Sequence, residues 1–324
     1  MPDKLNVLVF AGGLGLGAYH AGVFEAFSSE LHWCCGASIG AVTAALIAGN
    51  RPEQRVDALS AYWNRHPGQL NGSTDKSRHA FAWMSALSAR LLGSRGHFHP
   101  RLTIDPYGFR SIYDLAPTRD RLRKLIDFGR LNSGDVRVAV AATDLATGDA
   151  VVFDSRHDRI ELDHILASCG FLPEFAPVEI GGRCLGDGGL SINAPFEPVL
   201  NEDAHLRLYV VDLFARDGEL PVSIEAASER KSDLVMGNQT FQRLKLAVAN
   251  RRLRWRLERQ EVPDDQVYLL SYRPGAEEAG PEKSFDFSST AVAQRWRAGF
   301  LDMQQADREL CECDEIRLVR REPA

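Results

Sequence analysis

The stretch "NVLVFAGGLGLGAYHAGVFEAF", residues 6–27, constrains the fold of this chain more than any other. An apolar run leads into a knot of glycines at 12, 13, 15 and 17, and the pattern then turns helical. A strand, a glycine loop and a helix in that order place unpaired backbone N–H groups around an anion. A Walker loop needs Gly-Lys-Ser/Thr at its end, whereas this chain reads Gly17-Ala18-Tyr19. A dinucleotide loop fits loosely, as Gly13-x-Gly15-x-x-Ala18, but it requires an acid closing the second strand to hold the ribose. The second strand closes on Gly36-Ala37-Ser38-Ile39-Gly40 instead.

That pentapeptide has the form of a nucleophile elbow, a strand-to-helix turn so tight that the residues two either side of the serine must be small. Gly36 and Gly40 meet this demand. The helix that follows, "IGAVTAALIAGN", is apolar and Ala-rich, with Gly49 placed to stop it. Ser38 would stand at its N-terminus, where the dipole and the Ile39 N–H favour an oxyanion. The competing reading is a serine that merely caps the helix. An α/β-hydrolase would supply an acid and then a histidine after the serine, preceded by several strands. Here one strand precedes Ser38, and His205 is the sole histidine after position 187, so a triad is cramped. His20, His164 and His205 read as structural. Asp187 stands out for a different reason: Gly186, Gly188 and Gly189 surround it, so its carboxylate sits on bare backbone able to approach another loop. A turn aspartate in a glycine-rich hairpin is the alternative.

Near-continuous apolar runs at 5–11, 32–37, 136–145, 206–214 and 266–272 predict strands buried on both faces, as in a parallel sheet covered by helices. Helical patterns fall between them at 17–29, 39–49, 53–64, 118–127 and 161–168, which predicts an α/β layered fold. Residues 66–110 break the rhythm with Gly, Ser, Pro and His clusters around one helix bearing Phe81, Met84, Leu87 and Leu91. They read as a cap insertion, with that stripe taken as core in preference to an acyl groove. Residues 223–324 read as a helical elaboration whose segment "RRLRWRLER" forms a solvated face or, less simply, a membrane-surface contact, and "DEIRLVRR" as a closing edge strand.

The 324 residues suffice for one large core, and a net charge of −6 favours no nucleic acid partner. No run of 18 apolar residues predicts a membrane-spanning helix. Cys34 and Cys35 fall in a buried strand as inert core thiols, and the six cysteines form no disulfide framework, as expected of a cytoplasmic protein. His97-x-His99 and Cys311-x-Cys313 are too short and incomplete for a metal site.

Three motifs together carry a resemblance: the glycine loop after the first strand, the elbow at Ser38, and Asp187-Gly188-Gly189 downstream. With "SIYDLAPTRDRLRKLIDF", "AATDLATGDAVVFDS" and "ILASCGFLPEFAPVEI", the chain resembles the patatin-like phospholipases. "FDFSSTAVAQRWRAGF" is similar to the tail of a bacterial branch of that family. The resemblance implies a single three-layer α/β/α domain over 1–324 and a serine lipid acyl hydrolase without cofactor. It implies a Ser38–Asp187 dyad that forms an acyl-enzyme on a phospholipid, lysophospholipid or other acyl ester. The oxyanion would be held by Gly12, Gly13, Leu14 and Gly15 together with Ile39. Asn193 resembles a family position near the dyad. Two departures from the family's Gly-Gly-Gly-x-Arg-Gly stand in the loop: Leu14 for a glycine, which matters where φ must be positive, and Leu16 for the arginine. An acyltransferase on the same acyl-enzyme, and a non-hydrolytic dinucleotide- or anion-binding module, are the alternatives. Peripheral membrane contact is a further expectation.

Overall fold

The structure, a computed structural model, describes residues 4–65, 75–101, 111–259, 261–274, 280–308 and 316–319, without the side chains of 75–80, 225 and 280–282. Residues 66–74 and 102–110 of the expected cap, and the Cys311-x-Cys313 pair, lie outside the described residues.

Strand β1 (Leu5–Phe10) runs through a tight turn at Leu14–Gly17 into α1 (Ala18–Ala26), and β2 (Trp33–Ala37) runs into α2 (Ile39–Ala48). Next come α3 (Arg55–Trp63), α4 (Asp75–Leu92) and a small antiparallel ribbon of β3 (His99–Pro100) with β4 (Tyr113–Asp114). Helices α5 (Ala116–Leu125) and α6 (Phe128–Leu131) lead to β5 (Arg137–Asp144) and β6 (Ala150–Asp154). The chain continues through α7 (Leu162–Ser168), β7 (Val178–Ile180), β8 (Arg183–Asp187), α8 (Glu197–Leu200) and β9 (Leu206–Asp212). Last are α9 (Ile224–Arg259), β10 (Gln266–Ser271), α10 (Ser289–Arg308) and β11 (Ile316–Val319).

The central sheet has the order β11-β10-β9-β1-β2-β5-β8-β7, with β6 also paired to β5. From β11 to β5 every pairing is parallel, as the apolar runs predict; β6, β7 and β8 are antiparallel additions. Alternate strand residues feed two cores. Leu8, Phe10, Cys34, Val140 and Val211 meet α1, α2, α3 and α10 on one face. Val7, Val9, Cys35, Leu208 and Val210 meet α8 and α9 on the other, so the chain is a three-layer α/β/α sandwich. The registers Phe10↔Gly36, Phe10↔Val211 and Gly36↔Val140 bring the carboxyl ends of β1, β2, β5 and β9 to one edge. In open α/β sheets that edge is where ligands bind.

Two glycines set the approach of α1 to α10. A Cβ on Gly22 would lie 1.8 Å from Trp296 O, and one on Gly299 would lie 2.1 Å from Tyr19 O, so only bare backbone permits the contact. The Tyr19 hydroxyl donates to Asp302 Oδ2 at 2.7 Å across the same seam.

Helix α4 corrects the sequence-based expectation. Its small residues Ala86 and Ala89 face inward onto Phe98, Tyr113, Phe175 and Phe285, while Phe81, Met84, Leu87 and Leu91 are exposed. The alanines allow close approach to the aromatic cluster, which turns the large side chains outward. The stripe is neither core nor groove.

Candidate active site

The elbow comes first. Ser38 adopts φ 55° and ψ −126°, a region costing a non-glycine residue roughly 1–3 kcal/mol. The turn leaves no space at its flanks: a Cβ on Gly36 would stand 2.2 Å from the Gly40 carbonyl, and one on Gly40 2.1 Å from Phe10 O. Ser38 occupies the N-cap position of α2 but makes no side-chain capping bond, so its hydroxyl is not spent on the helix. The turn is pinned from below. Ser38 N–H donates to Ser168 Oγ at 2.8 Å, and that hydroxyl donates to Ala141 O at 2.6 Å.

Asp187 ends β8, the antiparallel strand laid against β5, opposite Ala142. Gly188 makes this position possible, because a Cβ there would lie 2.5 Å from Ala141 O and 3.0 Å from the Ala37 side chain, next to the elbow. Asp187 Oδ1 accepts from Gly189 N–H at 2.7 Å, its main-chain N–H donates to Gly170 O, and its carbonyl accepts from the Thr143 hydroxyl. Among the described residues no donor meets the buried Oδ2 in hydrogen-bonding geometry. Burial pushes the Asp187 carboxyl up to about 7, while the nearby Ser38 hydroxyl and the Gly189 N–H pull the other way by favouring the anion.

The glycine loop closes the third side. A Cβ on Gly12 would stand 2.7 Å from Asn193 Oδ1 and 3.1 Å from Ser38 Cβ, so three loops meet at that residue. Gly12, expected among the oxyanion donors, gives its N–H to Asn193 instead. Gly13 lies against Leu213, whose Cδ1 would be 2.7 Å from a Cβ there. Leu14 takes φ 50°, the left-handed conformation for which a glycine is the easy choice. The N–H groups of Gly13, Leu14 and Ile39 make no hydrogen bond to any described residue. Gly15 points away from the cavity, beneath the carbonyls of Ser284 and Asp286 and against the Arg295 guanidinium. Leu16 is buried in the core, where the family's arginine would not fit uncharged surroundings.

A cavity of about 360 Å³ opens on Gly12, Gly13, Leu14, Ser38, Asp187 and Asn193. Its outer wall comes from elements that sequence reasoning did not connect with the site: Arg90 of α4, Phe171 and Glu174, residues 229–236 of α9, and Lys283–Phe285. Lys283 Nζ, almost fully buried, holds Glu229 at 2.9 Å and Asp233 at 2.8 Å. A second, smaller cavity of about 30 Å³ lies behind the serine, lined by Ile39, Val42, Phe98, Phe175 and Phe287 among others. Leu14 and Ser38 border both. No sequence signal marked Ser168 except its place in "ASCGFLPEF", and none marked the α9 contribution.

The histidines stand apart. His205 precedes β9 at the amino ends of the parallel strands, where Asp264 N–H donates to its Nδ1, so it sits across the sheet from Ser38. His164 closes a capping box with Glu161. His20 is buried beside Phe10, and desolvation lowers its pKa to about 3, leaving it neutral. His97 is caged by Tyr62, Trp63 and Phe287 while His99 is exposed, so the pair does not converge. Burial pushes the Cys34 thiol up to about 12, an inert core residue as expected.

The basic stretch of α9 is corrected in part. Arg251 is buried, paired with Asp265 at 2.6 Å and donating to Leu200 O at 3.0 Å. Arg254 reaches Leu200 and Asn201, and Arg259 reaches Asp203. These side chains staple α9 to the segment before β9, so this part of the basic stretch is not a solvated face.

The profile of a family described as patatin-like phospholipase matches residues 8–200, which include the glycine loop, the elbow and the Asp187 loop. No curated protein matches the chain. Among solved structures, the crystal structure of VipD from Legionella pneumophila is similar at a TM-score of 0.45 and 14% identity. That alignment covers 94% of this chain and 66% of VipD, so the chain spans just under two thirds of that protein's length. With the profile covering more than half of its residues, the chain belongs to the patatin-like phospholipase family of lipid acyl hydrolases.

Proposed function

We propose that the protein is a serine hydrolase of acyl esters, with Ser38 as nucleophile and Asp187 as its only proton carrier. The Ser38 oxygen attacks the ester carbonyl as its proton passes to Asp187 Oδ2. The oxyanion that forms is held by the N–H groups of Gly13, Leu14 and Ile39. Collapse expels the alcohol, which takes the proton back from Asp187. Water, deprotonated by the same carboxylate, then attacks the acyl carbonyl, and as the acyl–oxygen bond breaks Asp187 returns the proton to Ser38 Oγ and the acid leaves. The lipid substrate class follows from family membership; an acyl chain enters beside Leu14 and the alcohol portion occupies the larger cavity. The cap role of residues around α4 and contact with a membrane surface belong to the same reading.

One observation carries the proposal: a buried carboxylate with an idle oxygen, its pKa raised to about 7, shares a cavity with a serine hydroxyl that caps nothing. A base poised near the working pH is what proton transfer requires. Fluorophosphonate labelling mapped by mass spectrometry tests it. Labelling falls on Ser38 and is lost in Ser38→Ala, and Asp187→Asn lowers kcat by roughly 10²–10⁴-fold with the circular dichroism unchanged. Label elsewhere, or full turnover in Asp187→Asn, rules the dyad out. Product partition with and without an added alcohol separates hydrolase from transferase.

A further inference from the structure

We propose that the acyl side of this site takes a short chain, propionyl or butyryl in length, so that the bulk of the substrate is its alcohol. The substrate class is then a short-chain ester of a large apolar alcohol. This inference rests on the Ser38–Asp187 reading and adds to it which cavity receives which half of the ester.

The proton decides the orientation. The departing alcohol oxygen must come within hydrogen-bond reach of Asp187, which returns the proton to it. Asp187, with Gly189 and Asn193 of the same loop, borders the 360 Å³ cavity and not the 30 Å³ one. The alcohol therefore lies in the larger space. The acyl substituent points away from it across the carbonyl carbon, toward the side of Ser38 where Ile39 and Val42 stand. Both residues line the smaller cavity, and Val42 sits one turn along α2, its N–H donating to the Ser38 carbonyl.

Size then decides the chain. A cavity needs roughly 10–15 Å³ for each water-sized group it holds. A space of about 30 Å³ therefore admits about two or three carbons beyond the carbonyl. Its walls are set in the close-packed interior: Val42, Tyr62, Phe98 and Phe175 are no more than 3% exposed. The Phe98 ring meets Tyr113, Phe175 and Phe287 edge-on, at centroid distances of 4.9, 5.5 and 5.6 Å. Rings locked to one another in this way resist the insertion of further methylenes. The space also suits hydrocarbon. Desolvation lowers the His97 pKa to about 3, so that ring is uncharged, and the Thr118 hydroxyl is spent on His97 O at 2.7 Å. The larger cavity has Phe171, Phe214, Met236 and Phe285 in its wall and room for a long apolar alcohol.

Two isomeric esters test this, octyl butyrate and butyl octanoate, which share one formula and differ in the half that carries the long chain. Release of octanol and of butanol is followed by gas chromatography, with both esters below their solubility limits. The expected kcat/KM favours octyl butyrate by roughly tenfold or more, since a misfit of one methylene in an apolar pocket already costs about tenfold. Val42→Ala narrows that preference severalfold. Val42→Leu lowers turnover of p-nitrophenyl butyrate severalfold relative to p-nitrophenyl acetate, and the circular dichroism of both variants is unchanged. Opposite shifts from one position separate the size of the pocket from general damage. Equal rates on the two isomers, or a preference for butyl octanoate, overturn the proposal, as does a preference that neither Val42 variant moves. The hydrolase reading survives those results when fluorophosphonate still labels Ser38. Failure of that labelling, with neither ester turned over, overturns the hydrolase reading and this inference together.

Discussion

Asn193 presents two acceptors to one donor: its Oδ1 and its main-chain carbonyl each take the Gly12 N–H at 3.1 Å. The bond ties the glycine loop to the loop of Asp187, two segments far apart in sequence that flank Ser38. Asn193→Ala keeps the main-chain half of this tether and loses the other. Replacing such a bond costs about 1 kcal/mol. We expect kcat on a soluble ester to fall roughly tenfold with KM little changed, because the loosened part presents donors to the transition state. An unchanged kcat would mean that the glycine loop holds its position without the side chain.

Asp187 gives a signed pH dependence. As the base it must be ionised, so kcat/KM rises with pH and levels off above about 7. Stability moves the other way. Its folded pKa lies above the unfolded value of 3.8, so between 3.8 and about 7 the unfolded chain releases its proton first. The fold therefore loses stability as pH rises through that window, by an amount on the order of a few kcal/mol. Asp187→Asn should be more resistant to urea than the native protein at pH 8, with the advantage gone at pH 4. Equal resistance at both pH values would contradict the buried, reluctantly ionised carboxylate.

Leu14 lines both the 360 Å³ and the 30 Å³ cavity while holding φ 50°. Leu14→Gly relieves a left-handed cost of roughly 1–2 kcal/mol but gives up packing of similar size against the aromatic cluster. Net stability should shift little. Joining the two spaces should raise the octanoate-to-butyrate ratio of kcat/KM severalfold, measured with p-nitrophenyl esters. A ratio that stays fixed would show that the acyl chain does not pass this side chain.

His205→Ala should leave kcat/KM within about twofold, since a residue acting as base is worth roughly 10²–10⁴-fold. A loss of that larger size would make a triad of the site despite the position of His205 across the sheet.

Arg251→Met should cost about 3–5 kcal/mol in urea denaturation, because it strands the buried Asp265 carboxylate. Ester turnover at 25 °C should be unaffected while the protein remains folded. A variant as stable as the native chain would return Arg251 to the role of an ordinary surface charge.

Much of this architecture was legible because its causes are local. Five of the six parallel strands among the described residues are continuous apolar runs, since burial on both faces removes the alternation a half-exposed strand would show. The elbow is readable for a steric reason: Gly36 and Gly40 meet backbone at 2.2 and 2.1 Å, and no other residue type fits. The antiparallel strands β6, β7 and β8 escaped because they are short and partly exposed, and β7 turns into β8 through Gly181 and Gly182, a signal no longer than two residues. The outward stripe of α4 misled for a related reason: apolar spacing reports a face, not which way that face turns. What set its direction was the fit of Ala86 and Ala89 to aromatic rings that come from three other segments. The cavity's outer wall was hidden in the same way, because α9 and the turn at 280–285 reach the site only through the folded chain.

The seam between α1 and α10 has a consequence for how the molecule comes into being. Helix α1 carries the glycine loop at its head, and α10 not only grips α1 through Gly22 and Gly299 but sends Arg295 beneath that loop, to the carbonyls of Lys283 and Asp286. A nascent chain that has been translated through Asp187 already owns every side chain of the proposed chemistry. It lacks the support beneath the glycine loop until α10 exists, so the loop gains its described footing only when the last long helix of the sandwich is in place.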